Sequence, residues 1–207
     1  MRRSLIGLLI VVAAGLLLVT GCEFFMQSAT LRVVSINDGK TLRADIADYW
    51  VYMTPDSELV TIYQYMPESV KVVLQYVEIG AGLPTWTPYE ALIEEAKISY
   101  RSTNTENPPD SAYSKAVIPL AQTVTADKTG KTTHTFYLTA MSATFKQAFF
   151  EAAEPPPEGD DYSIVDVIDA TIEFKGYDSV AGRAVKAKGE FQIEVGNFYD
   201  DLNRLGN

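Results

Sequence analysis

Ala170-Thr171-Ile172-Glu173-Phe174-Lys175-Gly176-Tyr177-Asp178, followed by Phe191-Gln192-Ile193-Glu194-Val195-Gly196-Asn197-Phe198, is the part of the sequence that decides the fold. In the first segment Ile172 and Phe174 alternate with Thr171, Glu173 and Lys175; in the second Phe191, Ile193 and Val195 alternate with Gln192 and Glu194. A period of two sends successive side chains to opposite faces of a strand. One face is apolar and the other polar, as an antiparallel sheet with a dry side and a wet side requires. Val165 to Gly176 and Ala184 to Phe198 are therefore expected to be a closing pair of strands.

The same signal extends back along the chain. Leu31 to Ile36 and Thr41 to Ile46 flank Asn37-Asp38-Gly39-Lys40, residues that tolerate the positive φ of a tight turn, and predict a first β-hairpin. Asp45 and Asp48 beside it read as solvated loop carboxylates. Leu59 to Tyr65 and Val70 to Ile79 are strand candidates separated by Met66-Pro67-Glu68, where the proline removes a ladder donor. Tyr63, Tyr65 and Tyr76 read as core and cross-strand packing. Ala116 to Val124 and Thr132 to Thr139, around Asp127-Lys128-Thr129-Gly130, predict a second hairpin. Its second strand carries the sole histidine, His134, in a setting that suggests an exposed or packed ring rather than a base or a ligand.

Two segments point towards helix. Ser142 caps a short helix expected through Ala153. Thr87-Pro88-Tyr89-Glu90 has the capping threonine, first-turn proline and glutamate of a helix start running to Ala96. Against this, Leu92, Ala96, Ile98 and Tyr100 share one face of an extended strand in which Glu94 is the awkward member, so strand is expected from about Glu94, while the choice between helix and strand at the start of residues 87–96 stays open. Gly80-Ala81-Gly82-Leu83-Pro84, the polar stretch from Ser102 to Asp110 ending in Pro108-Pro109, and Glu154-Pro155-Pro156-Pro157-Glu158-Gly159-Asp160-Asp161 read as loops. Glu154, Glu158, Asp160 and Asp161 are weak calcium candidates: oxygen ligands in number, without the fixed spacing of a calcium loop.

Tyr, Phe, Val, Thr and Ile are plentiful, which suits a pleated, half-buried surface. The chain of 207 residues carries 17 basic and 27 acidic side chains, a formal charge of −10. Nucleic acid and anionic lipid surfaces need basic patches, and none appears in the sequence.

At the other end, Arg2 and Arg3 precede an apolar or small-residue run from Leu5 to Val19, the layout of a secretory signal. The run has 15 residues, short of the roughly 20 that span a hydrocarbon core of about 30 Å. Its ending, Leu18-Val19-Thr20-Gly21-Cys22, resembles the lipobox of bacterial lipoproteins. That resemblance implies a diacylglycerated Cys22 that becomes the first residue after cleavage. Cys22 is also the only cysteine, so no disulfide can form within one molecule. Three parts follow: residues 1–21 as a signal helix, residues 22–29 as lipidated cysteine and tether, and residues 30–207 as one domain. Cleavage takes away two arginines and leaves a charge of −12. The tether from Glu23 to Ala29 reaches at most about 25 Å, and Phe24, Phe25 and Met26 suit either the lipid interface or the domain surface. Glu23 sits where an aspartate would retain a Gram-negative lipoprotein in the inner membrane, which favours the outer membrane.

The C-terminal stretch quoted above, with Ala181-Gly182-Arg183 at its turn, resembles the closing hairpin of uncharacterised bacterial lipoproteins with immunoglobulin-like folds. The resemblance implies an all-β, immunoglobulin-like antiparallel β-sandwich with short helical segments, and it carries no activity or site residues. Together the readings give an expected function: a non-catalytic, lipid-anchored component of the cell envelope, without a cofactor, that binds or assembles with a protein or glycan. The alternatives are a carboxylate-dependent hydrolase, whose chemistry needs two acids at a set separation, and a purely structural part of a surface assembly. Recognition is expected in the proline-rich loops at Asn107 to Asp110 and Glu154 to Asp161, or at a strand edge.

Overall fold

The structure, a computed structural model, describes residues 28–79, 90–103, 115–127, 129, 131–153, 163–179 and 182–197. Ten strands run in chain order as β1 (Ser28–Ile36), β2 (Leu42–Asp45), β3 (Asp48–Met53), β4 (Leu59–Gln64), β5 (Glu68–Ile79), β6 (Glu90–Ser102), β7 (Ala116–Asp127), β8 (His134–Met141), β9 (Ser163–Asp178) and β10 (Ala184–Asn197). One helix, α1 (Ala143–Ala153), lies between β8 and β9. The all-β class with a short helical segment is what the chain adopts.

Eight of the strands form one sheet in the order β1-β5-β7-β6-β9-β10-β2, with β8 also on β5. β5 takes β1 along one edge; on the other edge β8 covers residues 68–74 and the end of β7 reaches Tyr76 and Val77. Because β7 bridges β5 and β6, the sheet curls until its β1-β5-β8 half faces its β6-β9-β10 half. Phe136 of β8 meets Phe174 of β9 edge-on across the interior, with ring centroids 6.0 Å apart. At the closing seam β1 lies against β10. There Gly189 leaves room for β1, since a Cβ on it would stand 2.7 Å from Ile36 Cδ1 and 2.9 Å from Val33 Cγ1. This single curled sheet does not confirm the immunoglobulin-like arrangement.

The expected alternation is carried through the interior. Val70, Val72, Leu74 and Tyr76 of β5, Ile168, Ala170, Ile172 and Phe174 of β9, and Phe191, Ile193 and Val195 of β10 are all buried. Each fully buried Ile, Leu or Phe contributes about 1.5–3 kcal/mol. Such a core does not depend on a disulfide.

β-Bulges keep the apolar face in phase where the sequence alone would break it. In β6 the register shifts between Ile93 and Glu95 against both neighbours: against β9 Glu94 is the extra residue, whereas against β7 the extra residue falls on β7, between Pro119 and Gln122. Ala91 and Ile93 then point inward before the bulge, and Ala96, Ile98 and Tyr100 after it. The inward residue is therefore Ile93, not Leu92, and residues 90–96 are strand; Thr87 to Tyr89 lie outside the described residues. Opposite the bulge sits Gly176, paired with Ile93. A Cβ there would overlap the Leu92 carbonyl oxygen and stand 2.8 Å from its carbon and 2.9 Å from Ile93 Cα. A second bulge, between Val33 and Ser35, does the same for Leu31, Val33 and Ile36 in β1.

Both early hairpins are corrected. Asn37, Asp38 and Gly39 do turn the chain, all with positive φ, but β1 pairs with β5 and β2 pairs in parallel with β10. Likewise β7 pairs with β6 and β8 with β5. In each case the turn is local, but the burial that selects a partner strand is not. The closing pair β9–β10 is antiparallel as expected.

The Asp127 turn is held by its own carboxylate, which accepts from the Thr129 hydroxyl and from the backbone N–H groups of Thr129, Lys131 and Thr132. These donors, the Thr129 hydroxyl foremost, hold the carboxyl well below the usual carboxylate range. A depressed folded pKa stabilises the turn above the unfolded value near ~3.9, and the effect is lost as pH falls through the folded value. In an NMR titration the amide shifts of Thr129, Lys131 and Thr132 should move together, with a midpoint below ~3.9. A midpoint at or above that value would contradict the geometry.

Candidate functional site

Between β2 and β5 the chain leaves the sheet. β3 and β4 form a separate two-stranded antiparallel ribbon, each pairing only with the other among the described residues. The register sets Met53 opposite Leu59 and Tyr52 opposite Val60. Opposed residues share a face, so Met53 and Leu59 lie on one face and Tyr52, Val60 and Ile62 on the other. Met53 is 65 % and Leu59 71 % exposed, and Tyr52, Ile62 and Met66 are exposed as well. The strand segments Tyr49 to Met53 and Leu59 to Tyr63 contain no charged residue. An isolated two-stranded hairpin is marginal in water, and one that shows apolar side chains on both faces has the character of an interaction surface.

The tip and the root are both built. At the tip Ser57 adopts φ 65°, the Ser57 N–H donates to the Thr54 carbonyl at 2.9 Å, and the Glu58 N–H to the Thr54 hydroxyl at 3.1 Å. At the root Tyr63 and Tyr65 meet Phe150 of α1, with centroids 4.8 and 5.7 Å apart. Burial, and then the nearby Glu151 carboxylate, push the Tyr65 hydroxyl above its usual range.

α1 fixes that root to the sheet. Ser142 caps it as expected, its hydroxyl accepting from the Phe145 N–H at 3.1 Å. Phe145 and Phe149 are buried, and Phe145 rests on Tyr100 at 4.6 Å. The Tyr100 hydroxyl donates to the Ala140 carbonyl at 2.5 Å, and burial raises its pKa. Lys146, only 2 % exposed, reaches Glu68 Oε1 at 2.9 Å and so ties α1 to the first residue of β5.

A second surface feature is a groove of about 520 Å³ across β6, β9 and β10. It is bordered by the ion pairs Arg101–Asp169 at 3.2 Å and Lys188–Glu190 at 2.7 Å. Its charges are already matched to one another.

Cys22, the calcium candidates Glu154, Glu158, Asp160 and Asp161, and both proline-rich loops lie outside the described residues. Asp45 ends β2 and Asp48 begins β3, so neither is a loop residue. His134 is half-buried, with Nε2 3.0 Å from Gln122 Oε1 and its ring beside Phe136. Tyr76 is core, its hydroxyl donating to the buried Asp178 carboxylate at 2.5 Å. Among the described residues no group of three or more His, Cys, Asp or Glu side chains is placed to hold a metal ion, and no helix is long and apolar enough to cross a membrane.

Sequence reasoning missed β3. Its signal was present: aromatic and β-branched runs on either side of Thr54-Pro55-Asp56-Ser57 are the marks of a hairpin. Without alternation, an unbroken apolar run reads as a buried strand, whereas Tyr52 and Met53 of this one are exposed. No known protein family matches the chain, and neither does any curated protein.

Proposed function

We propose that the protein is a lipid-anchored, non-catalytic binding or assembly module of a bacterial cell envelope. The observation that carries this reading is the β3–β4 ribbon. It is an element outside the main sheet, rooted on α1 through Tyr63, that exposes apolar side chains on both faces. The lipobox-like Leu18 to Cys22 supports the anchor. The pairing of His134 with Gln122 supports a packing role for the sole histidine.

Two measurements test the reading. Replacing Cys22→Ala should move the protein out of the membrane fraction and abolish incorporation of labelled fatty acid; unchanged fractionation and labelling would refute the anchor. Amine-reactive crosslinking of intact producing cells should give a discrete adduct with another macromolecule. Purified chain that turned over substrates in a broad hydrolase screen, with loss on changing one carboxylate, would overturn the non-catalytic reading.

A further inference from the structure

The ribbon also carries information about what it binds. Between Arg43 and Lys71 the sequence contains Asp45, Asp48, Asp56, Glu58 and Glu68 and no basic residue. Asp56 and Glu58 stand at the exposed tip, beside Met53 and Leu59. An apolar strip with two acids at its tip leaves three occupants to weigh: a lipid surface, a second copy of the chain, or another protein.

Charge and position separate them. Anionic headgroups repel an acidic ribbon on a chain of charge −10. The ribbon is moreover rooted beside Glu68, whereas the chain enters the sheet at Ser28, opposite Ile79 at the far end of β5. The 12 residues of β5 put about 36 Å between those ends. A tether arriving at Ser28 therefore holds to the bilayer the end of the sheet remote from the ribbon. In a second copy, a ribbon meeting its own counterpart would set acidic tips against acidic borders, and like charges across an interface disfavour the pairing.

We infer that the ribbon docks a different protein, through an apolar groove or strand edge of that partner bordered by Lys or Arg. The ribbon inserts its uncharged segments, Tyr49 to Met53 and Leu59 to Tyr63, and Asp56 and Glu58 meet the basic border. This rests on the binding-module reading and names the surface and the partner chemistry. Two outer strand edges and two apolar faces suit strand addition, in which main-chain hydrogen bonds supply affinity and side-chain pockets supply specificity. The tip hydrogen bonds at Thr54 keep the acidic residues in a fixed place, which lowers the ordering cost of binding.

The test uses the full chain in its producing cells, with a photo-crosslinking amino acid at Met53 or Leu59 and, as controls on the sheet, at Val117 or Tyr137, both exposed. The expected result is one heteromeric adduct common to positions 53 and 59 and absent from 117 and 137. Its attachment point on the partner should lie next to basic residues. Asp56→Lys with Glu58→Lys should lower its yield about tenfold, by removing the complementary border. An adduct of twice the chain's own mass, attachment to lipid, no ribbon adduct, or a yield unchanged by the charge reversal would each overturn the inference. If only the control positions capture a partner, the ribbon is wrong and the binding-module reading stands. If no position captures one, both fall. Circular dichroism of the charge-reversed chain should match that of the parent, since both substitutions lie at exposed tip positions.

Discussion

Gly176→Ala should be among the most damaging single-methyl additions this domain can suffer. The new Cβ would overlap the backbone carbonyl of Leu92 and crowd Ile93 Cα. Backbone within a paired strand cannot step aside as the end of a side chain can. Relief requires β6 to slide off β9, which undoes the bulge at Glu94 and rotates Ile93 away from the interior. Destabilisation above about 4 kcal/mol belongs to this kind of mechanism and would lower the melting temperature by roughly 10 °C or more. Gly189→Ala is the internal control. Its nearest obstacles are Ile36 Cδ1 and Val33 Cγ1, side-chain atoms that can rotate, so its cost should be clearly smaller. Thermal melts of the two variants decide it; equal losses would mean that the close approach of β6 to Gly176 is not the governing constraint.

The second large effect concerns Lys146 and Glu68. Removing one partner of a buried ion pair leaves an uncompensated charge, at a cost of about 3–5 kcal/mol, whereas replacing both partners with apolar groups that pack well is often neutral. Glu68 keeps some contact with solvent, with 30 % of its side chain exposed, so Glu68→Ala should cost about 2–3 kcal/mol. Lys146→Met alone should cost less than Glu68→Ala, because the Glu68 it leaves behind still reaches solvent, and adding it to Glu68→Ala should restore most of the loss. Chemical denaturation of the four proteins measures the cycle. Failure of Lys146→Met to rescue would show that Lys146 is not the group stranded in Glu68→Ala. Because α1 also seats Tyr63 and Tyr65 through Phe150, Glu68→Ala should in addition loosen the root of the ribbon.

What was legible in the sequence was local. The alternation from Ala170 to Phe174 and from Phe191 to Val195 needs no knowledge of neighbours, and β9–β10 followed from it. Ser142 marked its helix because an N-cap acts within one turn. Asn37 to Gly39 announced a turn correctly, yet the strands beside it choose β5 and β10, partners about 40 and 150 residues away, where burial and not turn geometry decides. Glu94 looked like an error in a strand because a bulge is visible only against the strands it faces. The ribbon was hidden by composition: Tyr49 to Met53 resembles core, and the fact that no layer covers Tyr52 and Met53 is a property of the assembled sheet. The loops favoured for recognition and the cysteine expected to carry lipid fall outside the described residues, so the ribbon is the surface on which the structure bears.

The parallel pairing of β2 with β10 has a kinetic consequence. Leu42 finds its partner in Ile193, 151 positions further on, and β1 leans on the same strand through Gly189. Contacts of such sequence separation must pay their loop-closure entropy before any burial rewards them, and sheets built this way form in milliseconds to seconds rather than microseconds. A growing chain that has made everything up to β9 still lacks the strand that receives both of its earliest elements. Completion of the sheet waits for the last strand.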